Sequence, residues 1–184
     1  GLAAGLLGLL YREVSVHQMT SLAEDRNVAL AQVLKNVLGA PLNGLMAASV
    51  GQDASMLQES DESQAMQRGV KALMGGTAVV KIKIYNRLGV TIFSTDPSQV
   101  GESSLANPGF KAALGGQVVS DLTRRDTLDT FEGVRSGIDL LATYIPIAGD
   151  AKAIEGVLEL YQDVSPFMAS LQRMLWIVTT VVAE

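Results

Sequence analysis

The chain has 184 residues, with 14 Lys and Arg against 19 Asp and Glu, for a formal net charge of −5. That length can bury the core of one domain. Its nearest basic cluster is Arg124-Arg125, followed at once by Asp126, which falls short of the cationic surface that nucleic acid requires. The absence of cysteine and the single histidine, His17, exclude a disulfide framework, a thiol nucleophile and a thiolate metal site.

Residues 1–10 carry no charge and no hydrogen-bonding side chain, and residues 174–183 are almost as apolar. Each run is about half of the ~20 apolar residues that a membrane-spanning helix needs. The first residue is Gly1 rather than Met, so the chain reads as a processed product or a piece of a longer protein. An apolar run at each end and none between them predicts that residues 1–10 finish one transmembrane helix. Residues 166–184 would then form an exit helix and begin a second, with Trp176 suited to the membrane–water interface. The alternatives are a pair of buried helices in a soluble protein, or a signal-peptide remnant at the first run.

Residues 11–49 have helical periodicity. Met19, Leu22, Arg26, Ala29, Val33 and Val37 make one stripe, widened by Leu30, Leu34 and Leu38. The stripe can pack on the domain's own sheet or on a second copy of the helix, the N-terminal half being the better seam for a homodimer. Pro41 should kink or end the helix. Residues 52–63 are polar and acidic and read as a loop or a solvated helix start. Residues 65–74 read as an amphipathic helix with Met66, Val70 and Leu73 on one face, stopped by Gly75-Gly76. The N-terminal helical region is therefore residues 11–76.

Residues 77–85 alternate, Val80, Ile82 and Ile84 against Lys81 and Lys83, as a half-buried strand does. A turn over residues 86–89 leads to a second strand at 90–95, making a hairpin. Asn107-Pro108 opens a short helix ending at Gly115-Gly116. Strands follow at 117–123, 138–147 and 153–163, with a polar connection over 124–137. The exit helix comes after Ser165-Pro166. Composition and order predict an α+β fold: a long N-terminal helix packed on a PAS-like five-stranded antiparallel sheet, with a C-terminal exit helix.

The stretch Ile82-Lys83-Ile84-Tyr85-Asn86-Arg87-Leu88-Gly89-Val90-Thr91-Ile92-Phe93-Ser94-Thr95-Asp96 resembles the first hairpin of periplasmic PAS-like sensor domains of the Cache type, and Gly101 supplies the glycine that follows. Asn107-Pro108-Gly109-Phe110, with Ala113 and Gly116, resembles the family's short helix. Tyr144-Ile145-Pro146-Ile147 and Gly156-Val157-Leu158-Glu159-Leu160-Tyr161-Gln162-Asp163-Val164 resemble its last two strands. The likeness covers residues 77–165, with Asn86 standing where the family usually has Asp. It implies the extracytoplasmic sensor domain of a bacterial inner-membrane receptor, facing the periplasm or cell exterior. The receptor would be a sensor histidine kinase, a diguanylate cyclase or a chemoreceptor, with the output domain in the cytoplasm. The alternative is a ligand-independent structural or interaction domain of a membrane assembly.

No catalytic constellation is present: there is no nucleophile elbow, no P-loop and no cofactor motif. Glu155 and Glu159 read as the outward face of a strand. The chemistry left is recognition of a small molecule between the concave sheet face and the short helix. Candidate lining residues are Phe93, Thr95, Phe110, Ser120, Thr143 and Tyr144, with Arg124 (or its neighbour Arg125) offering a guanidinium to a carboxylate ligand.

Overall fold

The computed structural model describes residues 2–149 and 151–181. The expectations for Gly1, Asp150 and residues 182–184 lie outside these. Five helices and five strands run in the order α1 (Leu2–Ala48), α2 (Ala54–Glu59), α3 (Asp61–Met74), β1 (Val79–Asn86), β2 (Thr91–Ser94), α4 (Pro108–Leu114), β3 (Val119–Thr130), β4 (Gly133–Ala148), β5 (Ile154–Asp163) and α5 (Ser165–Val181). The strands form one antiparallel sheet in the order β2-β1-β5-β4-β3. The α+β fold with a long first helix and a C-terminal helix is the one expected from the sequence.

Helix α1 does not end at Pro41. It continues to Ala48 through a kink at Leu38 (φ −108°, ψ 19°). Proline at 41 has no N–H for the Val37 carbonyl, and its ring crowds that carbonyl, so the turn before it opens. Gly69 on α3 packs directly against Leu38 at this point. The sheet takes only the Leu34 and Leu38 edge of the expected stripe. Ala23, Asn27, Ala31, Leu34, Leu38, Leu42 and Leu45 are buried, while Leu22, Arg26, Ala29, Val33 and Val37 are exposed. Two apolar stripes lie side by side on α1, and periodicity alone cannot say which one meets the sheet.

The main core lies between this buried stripe, α3 and one sheet face, through Leu34, Leu45, Met66, Met74, Ile82, Ile84, Phe93 and Leu158. Residues 52–63 supply α2 and the start of α3, each with a side-chain cap, Asp53 for α2 and Ser60 for α3. The expected stop after Met74 is present, with Gly76 at φ +76°.

Two expectations are corrected. The polar connection over 124–137 is a long two-stranded ribbon, registered from Arg124↔Asp139 to Thr130↔Gly133. Most of its side chains are exposed on both faces, so no apolar alternation marks it. Strand β1 is not half-buried: all eight of its residues are covered, Lys81 and Lys83 included. The lysine face is roofed by the segment from β2 to α4, and the two ammoniums pair with Asp96 (3.9 Å) and Glu102 (3.5 Å) on that roof.

The first turns of α1 and the last turns of α5 run together. The Tyr11 hydroxyl donates to Met174 Sδ at 2.9 Å, and Gly8 faces Leu175. Leu2, Leu6, Leu9, Trp176, Ile177 and Val181 are exposed there. No helix of the described residues is long and apolar enough to cross a membrane.

Candidate functional site

Strand parity sorts the sheet into two faces. The face opposite α1 carries Lys83 and Tyr85 from β1, Val157, Glu159 and Tyr161 from β5, and Ala142 and Tyr144 from β4. Lys83 stands opposite Glu159, and Glu159 opposite Tyr144, so one row crosses three strands. Helix α4 covers this row. Asn107 caps it by accepting from the Phe110 N–H at 3.0 Å, and the Asn107 amide donates to the Tyr144 hydroxyl at 3.0 Å. Phe110 meets Tyr85 edge to face, with centroids 5.7 Å apart and planes at 75°. The Gly109 backbone packs against the Tyr144 ring, leaving no room for a Cβ.

Glu159 is at the centre and is 1% exposed. The Tyr85 hydroxyl donates to its Oε2. Its Oε1 is buried with no hydrogen-bond partner. Burial pushes the tyrosine hydroxyls of Tyr85, Tyr144 and Tyr161 well above their ordinary pKa, and the charge of Glu159 and its hydrogen bonding to these hydroxyls push the same way. All three therefore stay protonated near neutral pH and offer O–H groups around one carboxylate. Lys81 is lowered, chiefly by burial and then by Lys83, with Asp96 opposing.

Of the residues singled out in the sequence, Phe110 and Tyr144 belong to this cluster. Phe93 is in the core under α1. The Thr95 hydroxyl accepts from the Ile82 N–H at 3.2 Å on the helix side of the sheet. Arg124 is exposed on the ribbon and makes a bidentate pair with Asp139 at 3.0 and 3.2 Å.

Ser120 and Thr143 also face α1, where they form a polar joint. The Asn27 amide donates to Thr143 Oγ1 (2.9 Å), Thr143 and Ser120 share a bond (3.0 Å), and the Ser120 hydroxyl donates to Glu24 Oε2 (2.7 Å). Since the single Ser120 hydrogen goes to Glu24, Thr143 must be the donor to Ser120. The chain starts and ends on α1 and passes through two strands, tying helix to sheet by direction as well as by packing. Beside it, a cavity of about 270 Å³ lies between α1 and the sheet, lined by Val28, Leu34, Ile145 and Leu158.

The expectation that Glu159 faces outward fails, because the outward face of the central strands is itself covered. Tyr85, Tyr161, Asn107 and Lys83 were not singled out in the sequence. A signal did exist: the short helix inserted after β2 has to lie on one face, and the polar and aromatic parity of β1, β4 and β5 is the one the main core leaves free.

No protein-family profile and no curated protein matches the sequence. Among solved structures, similar chains include the sensor domain of the V. cholerae histidine kinase DctB (TM-score 0.47, 14% identity, over 85% of this chain and 58% of that one). The E. coli DcuS sensor domain is another (TM-score 0.44, 12% identity, 76% and 98%). So is the periplasmic domain of RsbU from Chlamydia trachomatis (TM-score 0.43, 13% identity, 89% and 58%). This chain thus spans 58% of the length of the DctB sensor domain it resembles.

Proposed function

We propose that this is the extracytoplasmic signal-sensing domain of a transmembrane receptor, of the sensor histidine kinase type. A small molecule would bind between α4 and the sheet. The signal would pass along α1 and α5 to a cytoplasmic output domain beyond this chain, and the domain would itself catalyse nothing. The observation that carries the reading is the buried Glu159 cluster under α4, on a sheet joined by the polar joint to a helix whose far end runs beside α5. That arrangement links a recognition site to both chain ends on the same side of the fold. The exposed leucines of α1 and the exposed Trp176, Ile177 and Val181 suit continuation into membrane on that side, with residues 1–10 and 166–184 as the flanking segments.

The domain works as a homodimer in this reading. Leu22, Ala29, Val33 and Val37, spaced seven, four and four residues apart with Arg26 between the first two, lie on one side of the helix and are left uncovered by the sheet, as a helix seam requires. A ligand shifts such a pair only if it binds one arrangement better than the other.

Thermal denaturation against a panel of small metabolites tests the sensing role. A ligand raises the midpoint by mass action and slows hydrogen exchange of α4. A panel covering amines, amino acids, carboxylates and sugars that produces no shift would favour the ligand-independent interaction domain instead.

A further inference from the structure

We infer that the ligand held under α4 carries a positively charged nitrogen, an ammonium group bound by the free Oε1 of Glu159 within the ring of Tyr85, Tyr144 and Tyr161. This rests on the sensing role proposed above and names the chemical class of what is sensed.

A carboxylate removed from water needs a counter-charge or a full set of donors. Tyr85 donates to Glu159 Oε2, while Oε1 is buried without a partner. Lys83 stands opposite it in the β1–β5 ladder, but its ammonium is drawn to Glu102 at 3.5 Å. Lys81 is likewise engaged with Asp96. On the roofed face the ammoniums of Lys81 and Lys83 are already engaged by Asp96 and Glu102, and Asp121 lies near Tyr144. An anionic ligand would meet like charge at the centre of the site, which disfavours it. A cation would complete Glu159. It would also lie among tyrosine rings, whose faces attract ammonium groups.

The aromatic groups are held for this role. Phe110 fixes Tyr85, and Asn107 fixes the Tyr144 hydroxyl. Helix α4 rests on Tyr144, so a ligand can reach Glu159 only when that seven-residue helix lifts. Its two anchors on the sheet, Asn107 to Tyr144 and Phe110 to Tyr85, are the contacts a ligand would rearrange.

The test uses the full chain, thermal denaturation and isothermal titration. The probes are methylammonium, tetramethylammonium and choline, with the neutral carbon isostere of choline and with succinate as comparisons. The expected result is that at least one ammonium probe raises the midpoint and binds, while the isostere and succinate do not. Glu159→Gln keeps the shape of the side chain and should weaken that binding by about tenfold or more. Lys83→Met should leave it within about twofold, because Lys83 is engaged with Glu102. A response to succinate that depends on Lys83, or an ammonium response that survives Glu159→Gln, overturns the cation assignment and leaves the sensing role standing. Silence to every probe, ammonium and anion alike, overturns the assignment. Silence to the wider metabolite panel as well removes the sensing role with it.

Discussion

Tyr85→Phe isolates the hydrogen bond at the centre of the site. The ring stays, with its edge-to-face contact to Phe110, and only the hydroxyl that donates to Glu159 Oε2 is removed. Tyr85 is 2% exposed and Glu159 1%, so water does not replace the lost donor. A hydrogen bond to a charged group is worth about 1.5–3 kcal/mol, and leaving a buried acceptor unsatisfied falls in the same range. A loss of about 2 kcal/mol is therefore expected. For a chain of this length that lowers the thermal midpoint by about 4–8 °C. Urea denaturation at neutral pH should show the midpoint falling with the slope unchanged, because the buried surface is the same. Tyr85→Leu, which also loses the ring contact, should cost more. Unchanged or raised stability in Tyr85→Phe would mean that the hydroxyl does not hold the Glu159 carboxylate, which would refute the hydrogen bond placed at the centre of the site.

Alkaline pH should unfold the protein through the same cluster. Tyr85, Tyr144 and Tyr161 have pKa values raised above the ordinary 10.0. Their stabilising contribution is complete below the unfolded value and is lost as pH rises beyond it, because the unfolded chain then releases protons that the folded one keeps. Each tyrosine adds about 1.4 kcal/mol of destabilisation per pH unit above 10, so replacing Tyr161 by Phe should make the alkaline limb of a urea-midpoint profile visibly shallower. In the polar joint, Thr143→Val strands the Asn27 amide and should cost about 1–3 kcal/mol. Asn27→Leu removes an amide whose Oδ1 is already unpartnered and should cost less. Equal losses in denaturant melts would contradict the donor order assigned there. Gly109→Ala drives a Cβ into the Tyr144 ring, which should loosen α4 by about 1–3 kcal/mol and speed exchange of its amides. Val33→Asp should weaken self-association in sedimentation velocity without lowering the stability of the monomer, since Val33 is exposed in the single chain.

Local patterns carried much of the fold. Alternation in β1, the paired glycines after α3 and α4, Pro108 at the first turn of α4, and the apolar runs of β4 and β5 each reflect chemistry acting over a few residues. The ribbon of β3 and β4 escaped because a strand pair exposed on both faces buries nothing periodic. The kink at Leu38 was legible through Pro41, three residues on, and the helical periodicity of residues 11–49 already carried the helix past it. Packing of Leu42 and Leu45 on the sheet holds the second half in line.

The candidate site divides in the same way. Phe110 and Tyr144 were legible because short motifs mark the helix and the strand that carry them. Phe93, Thr95, Ser120 and Thr143 lie on the helix side of the sheet, although their residue types suit a pocket equally well. A strand residue faces one side or the other by parity, but which side α1 covers and which side α4 covers is fixed only when the helices dock. The same docking turned Glu159 from an apparent surface carboxylate into the buried centre of a tyrosine ring, and turned Ser120 and Thr143 into the joint between sheet and helix. Local chemistry therefore specifies the order of the main helices and strands and the class of fold. Which face each polar side chain serves is settled when the helices pack on the sheet, because burial belongs to the packed sheet and not to any one strand.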